Sequence, residues 1–216
     1  MFMRESLRIT EIFHSLQGET SRMGLPTVFI RLTGCPMRCT YCDSAYAFTG
    51  GKTMSLDDIM AQVESYGCPT VCVTGGEPLA QKPVHLLFKR LCDASYSVST
   101  ETGGGQPIDC VDPRVSRILD VKTPKSGELP NMLWANLEAV NQHDEIKFVL
   151  VDRSDYEWAR ELVLTQSLHH KAPVIFSPVW ESLKPVELAE WVIADKLPVR
   201  VQVQLHKILW GEKPGV

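Results

Sequence analysis

The sequence has neither a long apolar run nor a block of lysine and arginine. No stretch approaches the roughly 18 to 20 apolar residues of a membrane helix, and the first residues do not resemble a signal peptide. A formal net charge of -4 without a basic cluster differs from the pattern of proteins that bind a nucleic-acid backbone. We therefore expect a cytoplasmic protein that acts on a small molecule, with no membrane or nucleic-acid partner.

The sequence also lacks the cysteine pattern of a zinc module or a disulfide framework. A structural zinc site usually needs a second pair of ligands, and disulfide frameworks favour an even number of cysteines in a short chain. This chain has seven cysteines, and three of them, Cys35, Cys39 and Cys42, fall within eight residues. Three thiolates leave one iron of a four-iron, four-sulfur (4Fe-4S) cluster open for chemistry. We predict such a cluster, with zinc as the alternative.

Short apolar or β-branched runs alternate with segments of helical period, which is typical of βα units around a parallel sheet. A chain of 216 residues can bury its core as one domain, so we predict a single domain over residues 1–216. A complete barrel of eight βα units needs about 250 residues. We therefore predict an α/β fold with an incomplete, open TIM-like barrel. The predicted strands are Thr27–Leu32, Thr70–Val73, Ser97–Glu101, Arg117–Val121, Glu145–Leu150, Val174–Ser177 and Arg200–Gln204; the predicted helices are Leu56–Tyr66, Pro83–Ala94, Trp134–Asn141, Ser154–Thr165 and Pro185–Asp195.

Unusual motifs follow the ends of the first four predicted strands. They are the cysteine loop after Thr33-Gly34, then Gly75-Gly76-Glu77-Pro78, Glu101-Thr102 with three glycines, and Asp120-Val121-Lys122. The carboxyl ends of parallel strands meet at one edge of a sheet, where ligands bind. Adjacent glycines also let a backbone approach a ligand closely, although such pairs are more often plain turns. We expect a site at this edge.

The cysteine motif Cys35-x3-Cys39-x2-Cys42, with Tyr41 before the third cysteine, resembles that of the radical S-adenosylmethionine (SAM) superfamily. Gly75-Gly76-Glu77-Pro78, about thirty residues later, strengthens the resemblance. It implies a shortened radical SAM core in which the methionyl group of SAM chelates the open iron. It also implies that the Gly-Gly-Glu-Pro segment receives the methionyl amine, and that the cofactor abstracts hydrogen from an unactivated carbon.

Further segments resemble the 7-carboxy-7-deazaguanine synthase family. The resemblance implies a carbon–nitrogen lyase that contracts 6-carboxy-5,6,7,8-tetrahydropterin to 7-carboxy-7-deazaguanine with loss of ammonia, on the path to queuosine and related deazapurines. It also implies Mg²⁺, a homodimer and a flavodoxin- or ferredoxin-type reductant. The segments are Glu11–Thr20, Phe29–Cys35, Cys42–Ser44, Glu101-Thr102 and Gln204–Lys207.

The resemblance also implies site residues, position by position. Cys35, Cys39 and Cys42 would hold the cluster, and Ser44 would bind Mg²⁺ where the family usually has threonine, since both supply a hard hydroxyl oxygen. The expected SAM contacts are Tyr41, Cys42, Asp43, Gly75, Gly76, Glu77, Gly104, Asp120, Val121, Lys122 and Ser177. The expected substrate contacts are Leu16, Gln17, Gly18, Glu19, Arg31, Thr102 and His206.

Arg31 is conspicuous without the resemblance, because a lone arginine in an apolar strand needs a partner. A substrate carboxylate could pair with it through two hydrogen bonds, and an internal Asp or Glu is the alternative.

Two other functions remain open. An activase that installs a glycyl radical on a protein partner would share the cysteines and the Gly-Gly-Glu-Pro segment, but it would not need Leu16–Glu19 or Arg31. A non-catalytic metal-binding module, structural or regulatory, would need the cysteines alone.

Overall fold

The computed structural model describes residues 5–211, 213 and 215, and within them nine strands form one sheet in the order β3-β1-β2-β4-β5-β6-β7-β8-β9. From β2 to β9 along this order the strands run parallel, whereas β1 pairs antiparallel with β2 and β3. The predicted open α/β barrel is confirmed. The strands are β1 (Ser6–Leu16), β2 (Pro26–Leu32), β3 (Lys52–Ser55), β4 (Thr70–Gly75), β5 (Ser97–Thr102), β6 (Ser116–Asp120), β7 (Glu145–Leu150), β8 (Val174–Pro178) and β9 (Arg200–Val201).

Most of the helices connect successive strands, and the last one follows β9. Ser55 caps the first of them, where its side chain accepts a hydrogen bond from the Asp58 amide, and Asp152 caps the fourth in the same way. None of the helices in the described part of the chain is long and apolar enough to cross a membrane. They are α1 (Leu56–Ser65), α2 (Val84–Asp93), α3 (Asn136–Ala139), α4 (Arg153–Thr165), α5 (Leu168–Lys171), α6 (Pro185–Ala194) and α7 (Leu205–Trp210), with short 3-10 turns at Ala45–Phe48, Pro78–Ala80, Pro124–Ser126 and Leu129–Asn131.

Some predicted boundaries were wrong. The last strand stops at Val201 instead of Gln204, and the predicted helix Trp134–Asn141 shrinks to Asn136–Ala139. Two strands, β1 and β3, and two short helices, α5 and α7, were not predicted.

A buried ion pair ties β6 to the turn before β7. Arg117 donates from Nε to Asp144 Oδ1 at 2.9 Å and from Nη2 to Oδ2 at 2.5 Å, and its guanidinium also reaches the carbonyl oxygens of Ile108 and Ala139. Both side chains are almost fully buried. Because each charge is partnered, the pair closes this part of the core without an orphaned group.

The antiparallel direction of β1 places the loop after it at the amino ends of the parallel strands. Leu16, at the end of β1, pairs with Pro26 at the start of β2. Arg22 in this loop donates to the carbonyl of Ser97, which begins β5, and Ser21 bonds to Glu145, which begins β7. The cysteine loop follows the carboxyl end of β2, so the two loops approach the barrel from opposite ends.

Candidate active site

A cavity of about 550 Å³ lies among the cysteine loop, the loop after β1, the carboxyl ends of the strands and α7. Most of the predicted site residues line it. They are Leu16, Gln17, Gly18, Glu19, Arg31, Cys35, Cys39, Tyr41, Cys42, Asp43, Ser44, Gly75, Gly76, Thr102, Asp120, Lys122 and His206. Four predicted residues are outside its wall: Glu77, Gly104, Val121 and Ser177.

The three cysteines of the motif are half-buried free thiols on one side of this cavity. Burial raises the pKa of Cys39 to about 11, against the opposing influence of Lys122, and burial also raises the pKa of Cys35. Burial thus disfavours the thiolate form, and bound iron would offset this effect because a metal stabilises thiolate ligands. Within the described residues, no three His, Cys, Asp or Glu side chains are gathered around one point that could hold a single metal ion. The thiolates of a 4Fe-4S cluster bind separate irons, so a cluster does not need that convergence.

The Gly-Gly-Glu-Pro segment packs directly on the cysteine loop. An ideal Cβ on Gly76 would lie 2.5 Å from the carbonyl carbon of Gly34 and 3.0 Å from the amide nitrogen of Cys35. The amide of Glu77 donates to the Gly34 carbonyl at 2.8 Å, and that of Gly76 donates to Leu32 at 3.0 Å. The glycines therefore let two backbones touch beside the cavity, which a side chain at Gly76 would prevent.

The Glu77 carboxylate acts as a brace between two loops. It accepts hydrogen bonds from the Thr102 hydroxyl at 2.9 Å, the Gly103 amide at 2.8 Å and the Leu79 amide at 3.0 Å. Burial raises its pKa, and these three donors oppose that shift. The structure thus turns the Thr102 hydroxyl towards Glu77, and it is the backbone of Gly75 and Gly76 that reaches the cavity.

Asp120 and Lys122 form a second polar group at the carboxyl end of β6. Lys122 Nζ lies 3.0 Å from Asp120 Oδ2, and Asp120 Oδ1 is buried without a hydrogen-bond partner among the described residues. Burial lowers the pKa of Lys122, but Asp120, Tyr41 and Cys39 together hold it above its usual range. The unpartnered oxygen is an acceptor suited to a ribose hydroxyl, so this group fits the predicted SAM site.

Gln17, at the start of the loop after β1, bonds to the strands of the barrel. Its amide nitrogen donates to Glu101 Oε1 at 3.3 Å, and its amide oxygen accepts from the backbone of Glu19 at 3.2 Å. Thr74 holds the other Glu101 oxygen at 2.9 Å. The result is a chain of hydrogen bonds along the cavity wall that offers both donors and acceptors.

Arg31 has an internal partner and also lines the cavity. Its Nε donates to Glu11 at 2.8 Å, directly across the β1–β2 pair, and its guanidinium lies 5.7 Å from the Phe13 ring and 5.6 Å from the Tyr46 ring. Burial acts to lower the pKa of Arg31, but Tyr46 and Glu11 outweigh burial, so the net shift of this pKa is upward. In the described part of the chain only Nε is engaged in a hydrogen bond, so both terminal nitrogens can meet a carboxylate.

Helix α7 covers the loop after β1. The amide of Leu205 donates to Gly18 at 3.0 Å, and the His206 ring packs so tightly that a Cβ on Gly18 would lie 2.9 Å from its Cγ. Gln204 donates to Asp43 at 3.2 Å. Burial lowers the pKa of His206, so the neutral ring is favoured. Ser44, next to Asp43, lies with its hydroxyl 4.0 Å from the Cys42 sulfur.

Comparison with known proteins agrees with this architecture. Residues 29–120 match the family model described as the radical SAM superfamily. The chain is 45% identical to the 7-carboxy-7-deazaguanine synthase of Chlorobaculum tepidum, over 95% of this chain and 94% of that protein. The chain belongs to the 7-carboxy-7-deazaguanine synthase family. A relative of the same name from Koribacter versatilis is 44% identical over 97% of this chain and all of the relative, and the crystal structure of QueE from Escherichia coli superposes with a TM-score of 0.77 at 26% identity, covering 93% and 95% of the two chains.

Membership of the 7-carboxy-7-deazaguanine synthase family makes this protein a radical SAM enzyme that acts on a small molecule, with a 4Fe-4S cluster and SAM as cofactors. The residues around the cavity fit both groups. Three free thiols face it, and glycine backbone and an unpartnered carboxylate oxygen stand beside them.

Sequence reasoning missed several residues of the cavity wall in this family member. Lys147 is the most informative, because it is a lone lysine in the apolar strand β7, the same signal that drew attention to Arg31. Glu101 was noticed as part of a motif but was not assigned to the site. The other missed residues include Phe13, Phe29, Tyr46, Thr74 and Trp180.

Proposed function

We propose that this enzyme converts 6-carboxy-5,6,7,8-tetrahydropterin to 7-carboxy-7-deazaguanine with loss of ammonia, in the biosynthesis of queuosine and related 7-deazapurines. The observation that supports it best is that the cysteine loop and the Leu16–Glu19 loop line one cavity, although they enter from opposite ends of the barrel. Relatives that bear this name match nearly the whole chain.

The cofactor end of the cavity is formed by the strand-end loops. Cys35, Cys39 and Cys42 would hold the cluster, the backbone at Gly75 and Gly76 would meet the methionyl group, and Asp120 would accept a ribose hydroxyl. When bound, the cluster and SAM together supply the radical that removes a hydrogen atom from the substrate. Lys122 places a buried positive charge beside Cys39, which favours anionic groups at this end.

The substrate end of the cavity is formed by Arg31 and the loop after β1. The terminal nitrogens of Arg31 would pair with the carboxylate of the pterin, and the ring pair Phe13–Phe29, stacked 5.0 Å apart, stands on the same wall. Gln17 and Glu19 would bind the polar edge of the heterocycle. His206 and its helix α7 would exclude water from the reacting carbon.

Magnesium would bind at Ser44. Its hydroxyl is a hard oxygen ligand, and substrate carboxylate and water would complete an octahedral shell. We propose that turnover depends on Mg²⁺. Chelation with EDTA should abolish turnover and added Mg²⁺ should restore it; turnover that is unaffected by both would contradict the assignment.

The central experiment is a single anaerobic incubation. Reconstituted protein with a full cluster is mixed with dithionite, SAM, Mg²⁺ and 6-carboxy-5,6,7,8-tetrahydropterin, and the product is identified by mass spectrometry. We expect 7-carboxy-7-deazaguanine, with SAM regenerated. Protein that holds its cluster and cleaves SAM but gives no deazaguanine would refute the proposed substrate and leave a different radical enzyme, such as a glycyl-radical activase.

We further propose that the chain is a single domain and acts as a cytoplasmic homodimer reduced by a flavodoxin- or ferredoxin-type protein. Ile208 and Leu209 on α7 are 57% and 49% exposed, which supports an apolar contact with a second copy. Light scattering of the holoenzyme tests the dimer. Turnover with reduced flavodoxin or ferredoxin in place of dithionite tests the reductant.

A further inference from the structure

Residues 17–21, which we name the floor loop, are held by Glu145 at the start of β7 and by Gln202 just after β9. Ser21 donates to Glu145 from its amide at 3.0 Å and from its hydroxyl at 2.5 Å. Gln202 accepts from the Thr20 amide at 2.5 Å and donates to the Thr20 carbonyl at 2.8 Å. These bonds fix a backbone in which Thr20 has a positive φ of 70°. The floor loop is therefore a rigid part of the cavity.

Glu19 projects from the floor loop into a buried pair with Lys147. The ammonium of Lys147 bonds to Glu19 Oε2, and the two side chains are 11% and 9% exposed. The other carboxylate oxygen, Oε1, is buried and has no partner among the described residues. An unpartnered buried acceptor is costly unless a ligand supplies the donor.

Both residues line the cavity, so the missing donor can come from a bound molecule. The pyrimidine edge of a pterin carries ring N–H and exocyclic NH₂ donors, which match an anionic acceptor. The neighbouring Gln17 amide is already bonded to Glu101, so it cannot turn to satisfy Glu19 without losing that bond.

We propose that Lys147 is a positioning residue for substrate binding: it fixes one oxygen of Glu19 so that the other accepts a hydrogen bond from an N–H group of the heterocycle. This inference rests on the proposed function. Lys147 does not touch the substrate in this arrangement. It neutralises the carboxylate in the apo enzyme and sets its direction, so its removal weakens binding through Glu19 alone.

A double-mutant cycle on substrate affinity tests the proposal. The Kd for 6-carboxy-5,6,7,8-tetrahydropterin is measured on cluster-loaded, SAM-bound, unreduced enzyme, so that binding occurs without turnover. We expect Lys147→Met and Glu19→Gln each to raise Kd at least tenfold, which is about 1.4 kcal/mol. The double variant should bind no more than about twofold more weakly than Glu19→Gln, because the two residues act through one interaction.

Melting temperature and iron content confirm that each variant is folded and loaded. Lys171 lies away from the cavity and pairs with Glu138 at 3.0 Å. The control variant Lys171→Met should therefore leave Kd within twofold of the wild type. Lys147→Gln, whose amide can still donate to Glu19, should bind with an affinity between those of the wild type and Lys147→Met; if Lys147→Met does not fold, Lys147→Gln takes its place in the cycle.

The measurements distinguish a failure of the positioning role of Lys147 from a failure of the proposed function. A Kd for Lys147→Met within twofold of the wild type, or effects of the two substitutions that multiply in the double variant, would overturn the positioning role while wild-type turnover still supports the proposed function. A wild-type enzyme that neither binds nor converts the pterin would overturn the proposed function and this inference with it.

Discussion

Replacement of Gly76 by alanine tests whether the Gly-Gly-Glu-Pro segment supports the cysteine loop. The new methyl group would lie 2.5 Å from the carbonyl carbon of Gly34 and 3.0 Å from the amide of Cys35. Favourable contacts between carbon atoms need about 3.5 to 4.0 Å, so the two backbones must separate by about 1 Å. Neither neighbour is the free end of a flexible side chain, and both belong to the loop that carries the first cysteine.

The expected cost can be worked from this overlap. Overpacking of a well-packed region costs about 1 to 3 kcal/mol, and a backbone collision belongs at the upper end. For a chain of this length, about 3 kcal/mol lowers the melting temperature by roughly 6 to 12 °C. Because Cys35 moves with the loop, we also expect Gly76→Ala to bind less than half of the wild-type iron after reconstitution.

Gly67→Ala is the matched control. Gly67 has a positive φ of 61° after α1, and no atom of residues 5–211, 213 and 215 lies within 4 Å of an added Cβ. Alanine at this φ costs about 1 to 2 kcal/mol of conformational free energy. Gly67 itself lies away from the cavity. We expect a lower melting temperature with normal iron content. If Gly76→Ala holds wild-type iron and melts within 2 °C of the wild type, the close approach of the two backbones is not what places the cysteine loop.

Three further predictions concern other parts of the molecule. Asp144→Ala should destabilise the fold by about 3 to 5 kcal/mol in urea unfolding, because it leaves Arg117 buried and uncompensated; a loss below 1 kcal/mol would contradict the pairing. Hydrogen bonds from Tyr156 and Arg160 lower the pKa of Asp195, so this stabilisation is complete above the ordinary pKa of aspartate and is lost as pH falls through the lowered value. The melting temperature of Tyr156→Phe should therefore fall less than that of the wild type between pH 5 and pH 2.5. An equal fall would refute the stabilising role of the hydrogen bond from Tyr156 to Asp195. Ser44→Ala should raise the Mg²⁺ concentration for half-maximal turnover at least tenfold while Ser44→Thr keeps it, and equal Mg²⁺ curves for all three proteins would remove Ser44 from the metal site.

Much of the fold could be predicted because the parallel strands are buried on both faces. Val28–Ile30 and Val71–Val73 are short apolar runs, and such runs are the signal of a parallel sheet. β1 escaped prediction because a register shift between Ile9 and Glu11 breaks its alternation, so that the buried residues Leu7 and Ile9 are followed by Ile12 and the period of two is lost. β3 has four residues with two exposed, which is too short and polar for a pattern to indicate.

The site was predictable where a local motif defines it, and less so where distant strands build it. The cysteine motif and the strand-end glycines lie together on one cavity, as their positions after the strands indicate. The brace between Glu77 and Thr102 depends on how two loops meet, and no local spacing encodes that contact. Lys147 could have been found, since a charged side chain in an apolar strand requires a partner.

The floor loop has a consequence for how the chain folds. Its bonds to Glu145, Lys147 and Gln202 join residues 124 to 182 positions apart in sequence. Contacts of such long range form late, because the entropy of loop closure must be overcome before they contribute. During synthesis the cysteine motif leaves the ribosome long before the strands that fix the floor loop. The cavity is therefore completed only when the segment around Gln202 docks, and a nascent chain that has not yet reached Gln202 has the cysteines but no finished place for a substrate.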